Sequence, residues 1–204
     1  MLPRRALPPL LLALPLAPRP AAAALPAEYR FHVVREGSRI GTHRVSFVQT
    51  GGDELTARTD VEIAVKLAGI TVFRLTHRFS ETWAGGRLRA ASSRLDRKGR
   101  VTEMEAQAEG DAVVVRGPDG TRRLPADAAP LTWWDPGRFN RPLFDNGSGK
   151  LLRLQLARAP LPDGGARWSA TGDEEGEGDY AADGTWLGWR TKGEDGSTVV
   201  YERA

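Results

Sequence analysis

Two polar side chains, His77 and Glu81, lie on a stripe of the sequence that is otherwise uncharged. The stripe takes every second residue from position 71 to position 83, and its other members are Thr71, Phe73, Leu75, Phe79 and Trp83. An imidazole can act as a general base, and a carboxylate can orient it. The pattern therefore raises the hypothesis of a hydrolase-like enzyme that uses His77 and Glu81 in a cleft.

The spacing of His77 and Glu81 limits how they can act. Four residues of a strand span about 13 Å, so the two side chains share a face but do not hydrogen-bond each other directly. His43 lies on the apolar side of an earlier predicted strand and is a third candidate for the same cavity. The alternative interpretation is that His77 and Glu81 are buried structural residues, which take their hydrogen bonds from neighbouring strands or from arginines.

A second candidate site is aromatic. Trp133, Trp134 and Arg138 are close in sequence and are typical of the aromatic and cationic rim of a site for a sugar or an apolar ligand. Large aromatic side chains also contribute much burial, so the same tryptophans fit a plug for one end of the sheet. The candidate ligand-binding residues are therefore His43, His77, Glu81, Trp133, Trp134 and Arg138.

Other chemistries find little support in the sequence. The chain has no cysteine, which excludes disulfides, thiol catalysis and thiolate metal sites. Its three histidines lack the spacing of a metal-binding motif. Ser148 lacks the flanking pattern of a nucleophile elbow, and residues 147–150 lack the upstream glycine of a phosphate-binding loop. The sequence thus predicts no metal and no cofactor.

The elements that position these residues are predicted to be strands. Residues 59–83 alternate between apolar and polar side chains on both sides of Gly69, which predicts a long hairpin. Its register predicts that Phe73, Leu75 and Phe79 lie in the core and that Arg74, Thr76 and Arg78 face outward. Turn signals recur roughly every 8 to 12 residues, so we predict an all-β fold, a curved antiparallel meander that forms an incomplete barrel. The acidic, glycine-rich residues 172–179 are predicted to be an exposed loop.

One segment breaks the strand pattern. Residues 125–149 contain four prolines, which disfavour a long helix or a central strand. The segment also holds six large apolar side chains, namely Leu131, Trp133, Trp134, Phe139, Leu143 and Phe144. A long connection of this composition is predicted to pack on the sheet and cover it.

The start of the chain is typical of a secretory signal peptide. Arg4 and Arg5 precede a short leucine-rich run, and three alanines at positions 22–24 supply a cleavage site. We therefore predict a signal peptide over residues 1–24, cleaved near Ala24, and a single all-β domain over residues 25–204. The expected location is periplasmic or secreted, and no later stretch is long and apolar enough to span a membrane.

The charge of the chain depends on that leader. The whole sequence has 29 basic and 26 acidic side chains. Because the leader holds three arginines and no acid, residues 25–204 carry equal numbers of the two. A neutral domain has no bulk attraction for nucleic acid, so a nucleic-acid partner is not expected.

Several short motifs occur in a specific order along the chain. They are Ile40-Gly41-Thr42-His43, His77 with Glu81 and Trp83, Gly86-Arg87-Leu88, Trp133-Trp134, residues 146–149, and Gly184-Thr185-Trp186-Leu187. In these motifs the chain resembles an exported bacterial family known as domain of unknown function family 6134. The resemblance covers nearly all of the sequence after the leader. It implies export and an all-β fold, and it implies no activity, substrate or functional residue.

Three functions are compatible with these patterns. The first is a non-catalytic envelope protein that binds a small apolar ligand or a protein partner. The second is the hydrolase-like enzyme that uses His77 and Glu81. The third is a structural envelope protein without a pocket. A dry apolar cavity favours the first, a deep polar pocket the second, and a filled interior the third.

Overall fold

A computed structural model describes residues 25–193 and 195–204. The predicted signal peptide, residues 1–24, lies outside the described residues. The strands are β1 (Glu28–Arg35), β2 (Ser38–Gln49), β3 (Leu55–Leu67), β4 (Ile70–Ala84), β5 (Arg87–Arg97), β6 (Arg100–Glu109), β7 (Ala112–Gly117), β8 (Gly120–Pro125), β9 (Ala129–Pro130), β10 (Leu143–Phe144), β11 (Leu154–Pro160), β12 (Ala166–Gly172), β13 (Gly176–Tyr180), β14 (Trp186–Lys192) and β15 (Thr198–Arg203).

Thirteen of the strands form one antiparallel sheet, in the order β11-β12-β13-β14-β15-β1-β2-β3-β4-β5-β6-β7-β8. Neighbours in the sheet are neighbours in sequence except at one point, where the last strand, β15, pairs with the first, β1. The covering segment connects β8 with β11, which are the two edge strands of the sheet. The sheet does not close into a barrel. The prediction of a curved antiparallel meander that forms an incomplete barrel is therefore confirmed.

The strand register arranges the core in rows across the sheet. The Glu81 row contains Phe47, Ala57, Glu81, Ala91 and Ala106. The His77 row contains His43, Val61, His77 and Leu95. The Leu75 row contains Gly41, Ile63 and Leu75. Each row marks one level of the interior along the direction of the strands.

Burial falls along β4 toward the β3–β4 turn. Phe79 is 2% exposed and lies in the core, as its register predicts. The prediction that Phe73 and Leu75 are core residues is wrong, since both are only half-buried. The reason is that β2 pairs with β3 only as far as Gly41, opposite Ile63, and β5 pairs with β4 only as far as Leu75. Beyond that level, no neighbouring strand shields the apolar stripe.

The covering segment packs on the sheet as predicted. Residues 125–149 contain β9, β10 and a 3-10 helix, Pro136–Arg138. Asp135 caps the helix by accepting a hydrogen bond from the Gly137 backbone N–H. The segment's large buried side chains belong to the main core and are Leu131, Trp134, Phe139, Leu143 and Phe144. Proline fits here because the segment makes short bridges instead of long ladders.

The prediction of an exposed loop over residues 172–179 is wrong, because β13 occupies Gly176–Tyr180. Two glycines of this strand lie under indole rings. A Cβ on Gly176 would approach Trp189 to 2.7 Å, and one on Gly178 would approach Trp133 to 2.8 Å. These glycines therefore make room for tryptophans, whereas in the sequence they are typical of a turn.

Candidate functional site

Glu81 is completely buried near the C-terminal end of β4. Its Oε2 accepts a hydrogen bond of 2.9 Å from the Trp83 indole N–H, and its Oε1 accepts one of 2.5 Å from the Trp134 indole N–H. An indole only donates, so the two bonds match the ionised, acceptor-only form of the carboxyl group. Each oxygen of Glu81 therefore has a tryptophan partner, one from the sheet and one from the covering segment.

Arg138 completes this cluster from the 3-10 helix. Its guanidinium carbon lies 3.4 Å from the ring centre of Trp83 and 4.2 Å from that of Trp134. Its Nη1 is 3.6 Å from Glu81 Oε2, and its Nε is 3.0 Å from Asp135 Oδ2. The cation is thus held between two aromatic faces and beside two carboxylates. We call Glu81, Trp83, Trp134 and Arg138 the anchor cluster.

The neighbouring strands leave room for the anchor cluster. Three of the five residues in the Glu81 row are alanines, Ala57, Ala91 and Ala106, and all three are buried. Small side chains on both sides of Glu81 let the Trp134 indole descend to the carboxylate. Burial raises the pKa of Glu81, and the charge of Arg138 and the indole hydrogen bonds oppose that rise.

The structure separates Glu81 from His77. The His77 imidazole Nε2 is 2.9 Å from Ser93 Oγ, whereas the hydrogen bonds of Glu81 go to Trp83 and Trp134. Phe79 lies between the two levels on the same strand. Glu81 is therefore engaged by the anchor cluster and does not orient His77, and this geometry matches the interpretation of Glu81 as a buried structural residue.

His43 lies among aromatic rings at the level of His77. Its ring centre is 5.5 Å from that of Trp186 and 5.2 Å from that of Tyr201, and the Tyr201 ring centre is 4.9 Å from that of Trp189. Both imidazole nitrogens of His43 and the indole nitrogen of Trp189 are buried without a hydrogen-bond partner in the described part of the chain. Buried polar atoms are normally paired. The described part of the chain has seven that are not, of which three belong to this cluster and the others lie on His32, Arg122, Thr132 and Arg138.

The environment of the two histidines keeps both imidazoles neutral. Burial lowers the pKa of His43 to about 3, and the nearby His77 adds to the effect. Burial also lowers the pKa of His77, although the charge of Asp145 and a backbone hydrogen bond at Asn146 oppose this. At neutral pH both rings are therefore uncharged members of a largely apolar surface.

These pKa values make stability depend on pH. In the unfolded chain His43 takes up a proton below about pH 6.5, while in the folded chain it stays neutral down to about pH 3. The stability is thus fully present above pH 6.5 and is lost as the pH falls. Between pH 7 and pH 5 we expect wild type to lose about 2 kcal/mol more than His43→Phe, as measured by urea unfolding. Equal losses in the two proteins would contradict the buried, neutral state of His43.

Trp133 joins the covering segment to the C-terminal strands. Its ring centre is 5.3 Å from that of Phe139 and 5.9 Å from that of Trp189. The Tyr180 hydroxyl donates a hydrogen bond of 2.7 Å to the Trp133 carbonyl oxygen. Trp133 is half-buried, in contrast to Trp134. Of the two tryptophans, Trp133 is therefore the one that borders the His43 cluster through Trp189.

The six candidate residues thus fall into two groups. Glu81, Trp134 and Arg138 contact one another. His43 and His77 lie two strands apart in one row. Trp133 contacts Trp189, which belongs to the aromatic cluster around His43. Ligand binding by these residues stays a prediction. Sequence reasoning missed Tyr201 and Trp189. Their alternation on the last two strands is a signal of a buried face, but it does not reveal that β15 pairs with β1.

Two depressions on the described part of the chain lie away from the candidate residues. One, of about 580 Å³, is lined by residues of β2, β3 and β4 around Gly41, Ile63 and Leu75. The other, of about 470 Å³, is lined by Arg58, Arg78 and their neighbours on β3 to β6. Within the residues that the structure describes, no three histidine, aspartate or glutamate side chains are grouped so that they could hold a metal ion.

Comparison with known proteins identifies the fold but no activity. The family model described as Domain of unknown function (DUF6134) matches residues 31–204. No curated protein matches the sequence. None of the helical segments in the described part of the chain has the length and hydropathy needed to cross a membrane.

Two solved structures are similar to this chain. One is a beta-barrel-like protein of Domain of unknown function DUF1849 from Brucella abortus, at 10% identity and a TM-score of 0.55, with 87% of this chain and 94% of that chain covered. The other is a DUF1089 family protein from Pseudomonas aeruginosa, at 11% identity and a TM-score of 0.44, with 86% and 95% covered. At these identities the first likeness shows a shared barrel-like fold alone.

Proposed function

We propose that this chain, which belongs to the family described as Domain of unknown function (DUF6134), is a non-catalytic binding module for a small apolar ligand. The ligand would sit at the open end of the interior, by which we mean the half-buried inner residues His43, Ile63, Leu75, His77, Trp189, Val199 and Tyr201. The observation that carries the proposal is the set of buried, unpaired nitrogens on His43 and Trp189.

The burial gradient supports this location. At the Glu81 row the interior is filled, because the anchor cluster and its alanine neighbours leave Glu81 completely buried. At the Leu75 row the inward-facing Ile63 and Leu75 remain half-exposed. A ligand at this level would cover aliphatic surface that the fold leaves in water, which is favourable in proportion to the apolar area removed.

The unpaired nitrogens support a ligand that carries at least one polar atom. His43 offers one donor and one acceptor in its neutral form, and Trp189 offers a donor. A buried polar group without a partner costs free energy, and a bound molecule can supply the partner. Binding sites commonly combine an apolar lining with a few such polar groups.

The hydrolase-like alternative has one matching contact, the 2.9 Å distance between His77 Nε2 and Ser93 Oγ, but it lacks the orienting carboxylate. That mechanism needs a carboxylate to orient His77, and the hydrogen bonds of Glu81 go to two indoles. No nucleophile motif accompanies His77 in the sequence. We also propose that the protein works in the periplasm or outside the cell, which is supported by the signal-peptide pattern of residues 1–24.

A fluorescence titration with the apolar probe N-phenyl-1-naphthylamine tests the binding function. Wild type is expected to bind the probe and enhance its emission. Leu75→Trp fills the open end and is expected to weaken binding at least about tenfold, or about 1.4 kcal/mol. The control is Leu187→Trp, which makes the same replacement at an exposed position of β14 that lines neither depression. Absence of probe binding, or equal weakening in both variants, would contradict the proposal and favour a structural role.

A further inference from the structure

The tip of the β3–β4 hairpin exposes aliphatic side chains to solvent. Leu67, Ile70 and Val72 are 60%, 70% and 48% exposed. The chain reverses in a two-residue turn in which Ala68 and Gly69 have positive φ values of 48° and 82°, as tight hairpin turns require. A continuous exposed apolar surface commonly marks an interaction site.

The tip projects from the sheet as a two-stranded finger. Pairing of β2 with β3 ends at Ile63, and pairing of β4 with β5 ends at Leu75. Residues 65–67 and 70–73 form strand pairs only with each other. Four residues of strand extend about 13 Å, so the apolar tip stands well clear of the neighbouring strands.

Basic side chains surround the base of this finger. Arg97 and Lys98 lie over the Phe73 ring, at 5.7 Å and 5.3 Å from its centre. The Lys98 backbone N–H also donates a hydrogen bond of 2.9 Å to the Arg74 carbonyl oxygen, which fixes the β5–β6 turn beside β4. The basic residues of the tip and of this turn are Lys66, Arg74, Arg97, Lys98 and Arg100.

The finger, residues 64–74, carries Lys66 and Arg74 and no acidic side chain. Acidic groups of the turns around it have basic partners of their own, such as Asp195 with Arg35 and Asp173 with Lys150. Asp96 accepts a hydrogen bond of 2.8 Å from the Gly99 backbone N–H, and Glu174 lies close enough to Arg97 to interact with its charge. Glu62 lies opposite Thr76, below the finger. The finger and the β5–β6 turn beside it are therefore locally basic, although residues 25–204 carry no net charge.

We propose that this hairpin tip docks on the surface of a bilayer that contains anionic phospholipids. Segments that bind the membrane interface typically present aliphatic side chains at their tip, with Lys and Arg side chains behind them. The aliphatic groups enter the headgroup region, and the basic groups meet the negative surface potential. This inference rests on the tip alone and goes beyond ligand binding in the interior.

Charge also separates this occupant from a second copy of the chain. A symmetric dimer through the tip would bring the same patch of both copies together. Lys66 and Arg74 of one copy would then face Lys66 and Arg74 of the other, and like charges at an interface are unfavourable. An anionic surface supplies the opposite charge to Lys66 and Arg74.

Co-flotation of the purified protein with lipid vesicles tests the proposal. The vesicles are phosphatidylglycerol with phosphatidylethanolamine, and pure phosphatidylcholine serves as the uncharged comparison. Wild type is expected to float with the anionic vesicles and to be released by 0.5 M salt, because salt screens the surface charge. The same samples are measured by sedimentation to detect self-association.

Matched variants separate the apolar and the basic contributions. Ile70→Ser is expected to lower vesicle binding about tenfold, whereas Leu187→Ser, an exposed aliphatic residue on β14, leaves it unchanged. Lys66→Gln with Arg74→Gln is expected to lower binding about 25-fold, at roughly fivefold for each charge. The control pair is Arg87→Gln with Arg89→Gln, at the opposite end of the β4–β5 pair.

Three results would overturn the proposal. One is that wild type does not bind anionic vesicles. Another is that Ile70→Ser and Leu187→Ser bind the vesicles equally well. The third is a concentration-dependent dimer that Ile70→Ser abolishes while no vesicle binding occurs, since this result would assign the tip to a second copy of the chain.

Discussion

Replacing Glu81 with alanine is expected to lower the free energy of unfolding by about 3–5 kcal/mol, measured by urea denaturation. The change leaves the indole N–H groups of Trp83 and Trp134 without their acceptor. It also leaves Arg138, whose side chain is only 11% exposed, without the buried carboxylate beside it. A buried charge that loses its partner costs far more than a surface pair.

Two further variants make this expectation specific. Glu103→Ala removes a 66% exposed carboxylate that pairs with Arg94 on the surface, and its effect is expected to stay within about 0.5 kcal/mol. Glu81→Leu with Arg138→Met removes both charges, and its cost is expected to fall below the sum of the single changes by about 0.5–3 kcal/mol. A Glu81→Ala protein of unchanged stability that has lost ligand binding would instead place Glu81 in a functional site.

Replacing Phe79 with alanine is expected to cost about 3–5 kcal/mol, the usual cost for a phenylalanine in a packed core. Phe79 is 2% exposed and belongs to the core cluster. Phe73→Ala, six residues earlier on the same stripe, is expected to cost only about 1 kcal/mol, because Phe73 is half-buried and its ring contacts are the cations of Arg97 and Lys98.

The comparison of the two phenylalanines measures the burial gradient along β4. Urea unfolding of both variants gives the two free-energy differences under the same conditions. Equal costs would mean that the interior is packed as tightly at the hairpin tip as at the Glu81 row. That result would remove the open end on which ligand binding depends.

The sequence predicts the strands well because alternation is a local signal. The apolar stripe of β4 specifies a strand, its inner face and its turn at Gly69, and the structure has all three. The stripe does not say where the neighbouring strands end, so the half-exposure of Phe73 and Leu75 was not predictable from it. Burial depends on partners that lie far away in sequence.

The candidate site depended even more on distant contacts. The sequence places His77 and Glu81 on one face, but the partners that decide the state of Glu81 are Trp134 and Arg138, more than fifty residues away. The pairing of β15 with β1, which brings Tyr201 to His43, joins the two ends of the domain. No local pattern reports such a pairing.

The third difference between the predicted and the observed structure concerns the glycines of residues 172–179. In a single sequence a glycine-rich stretch is typical of a turn, and residues 172–179 also carry acidic side chains. In the fold, Gly176 and Gly178 belong to β13 and lie against the Trp189 and Trp133 rings. The requirement for glycine arises from the size of the indole that covers it, which is a tertiary property.

The central claim is that the interior is filled at Glu81 and binds a small apolar ligand at its open end. Native mass spectrometry of protein recovered from the cells that produce it tests this claim most directly. We predict a mass above that of the mature chain, with the excess released as a small molecule on denaturation. The excess is expected to be smaller in Leu75→Trp and unchanged in Leu187→Trp. The claim would be contradicted if the wild-type mass equals that of the mature chain alone and the protein does not bind N-phenyl-1-naphthylamine.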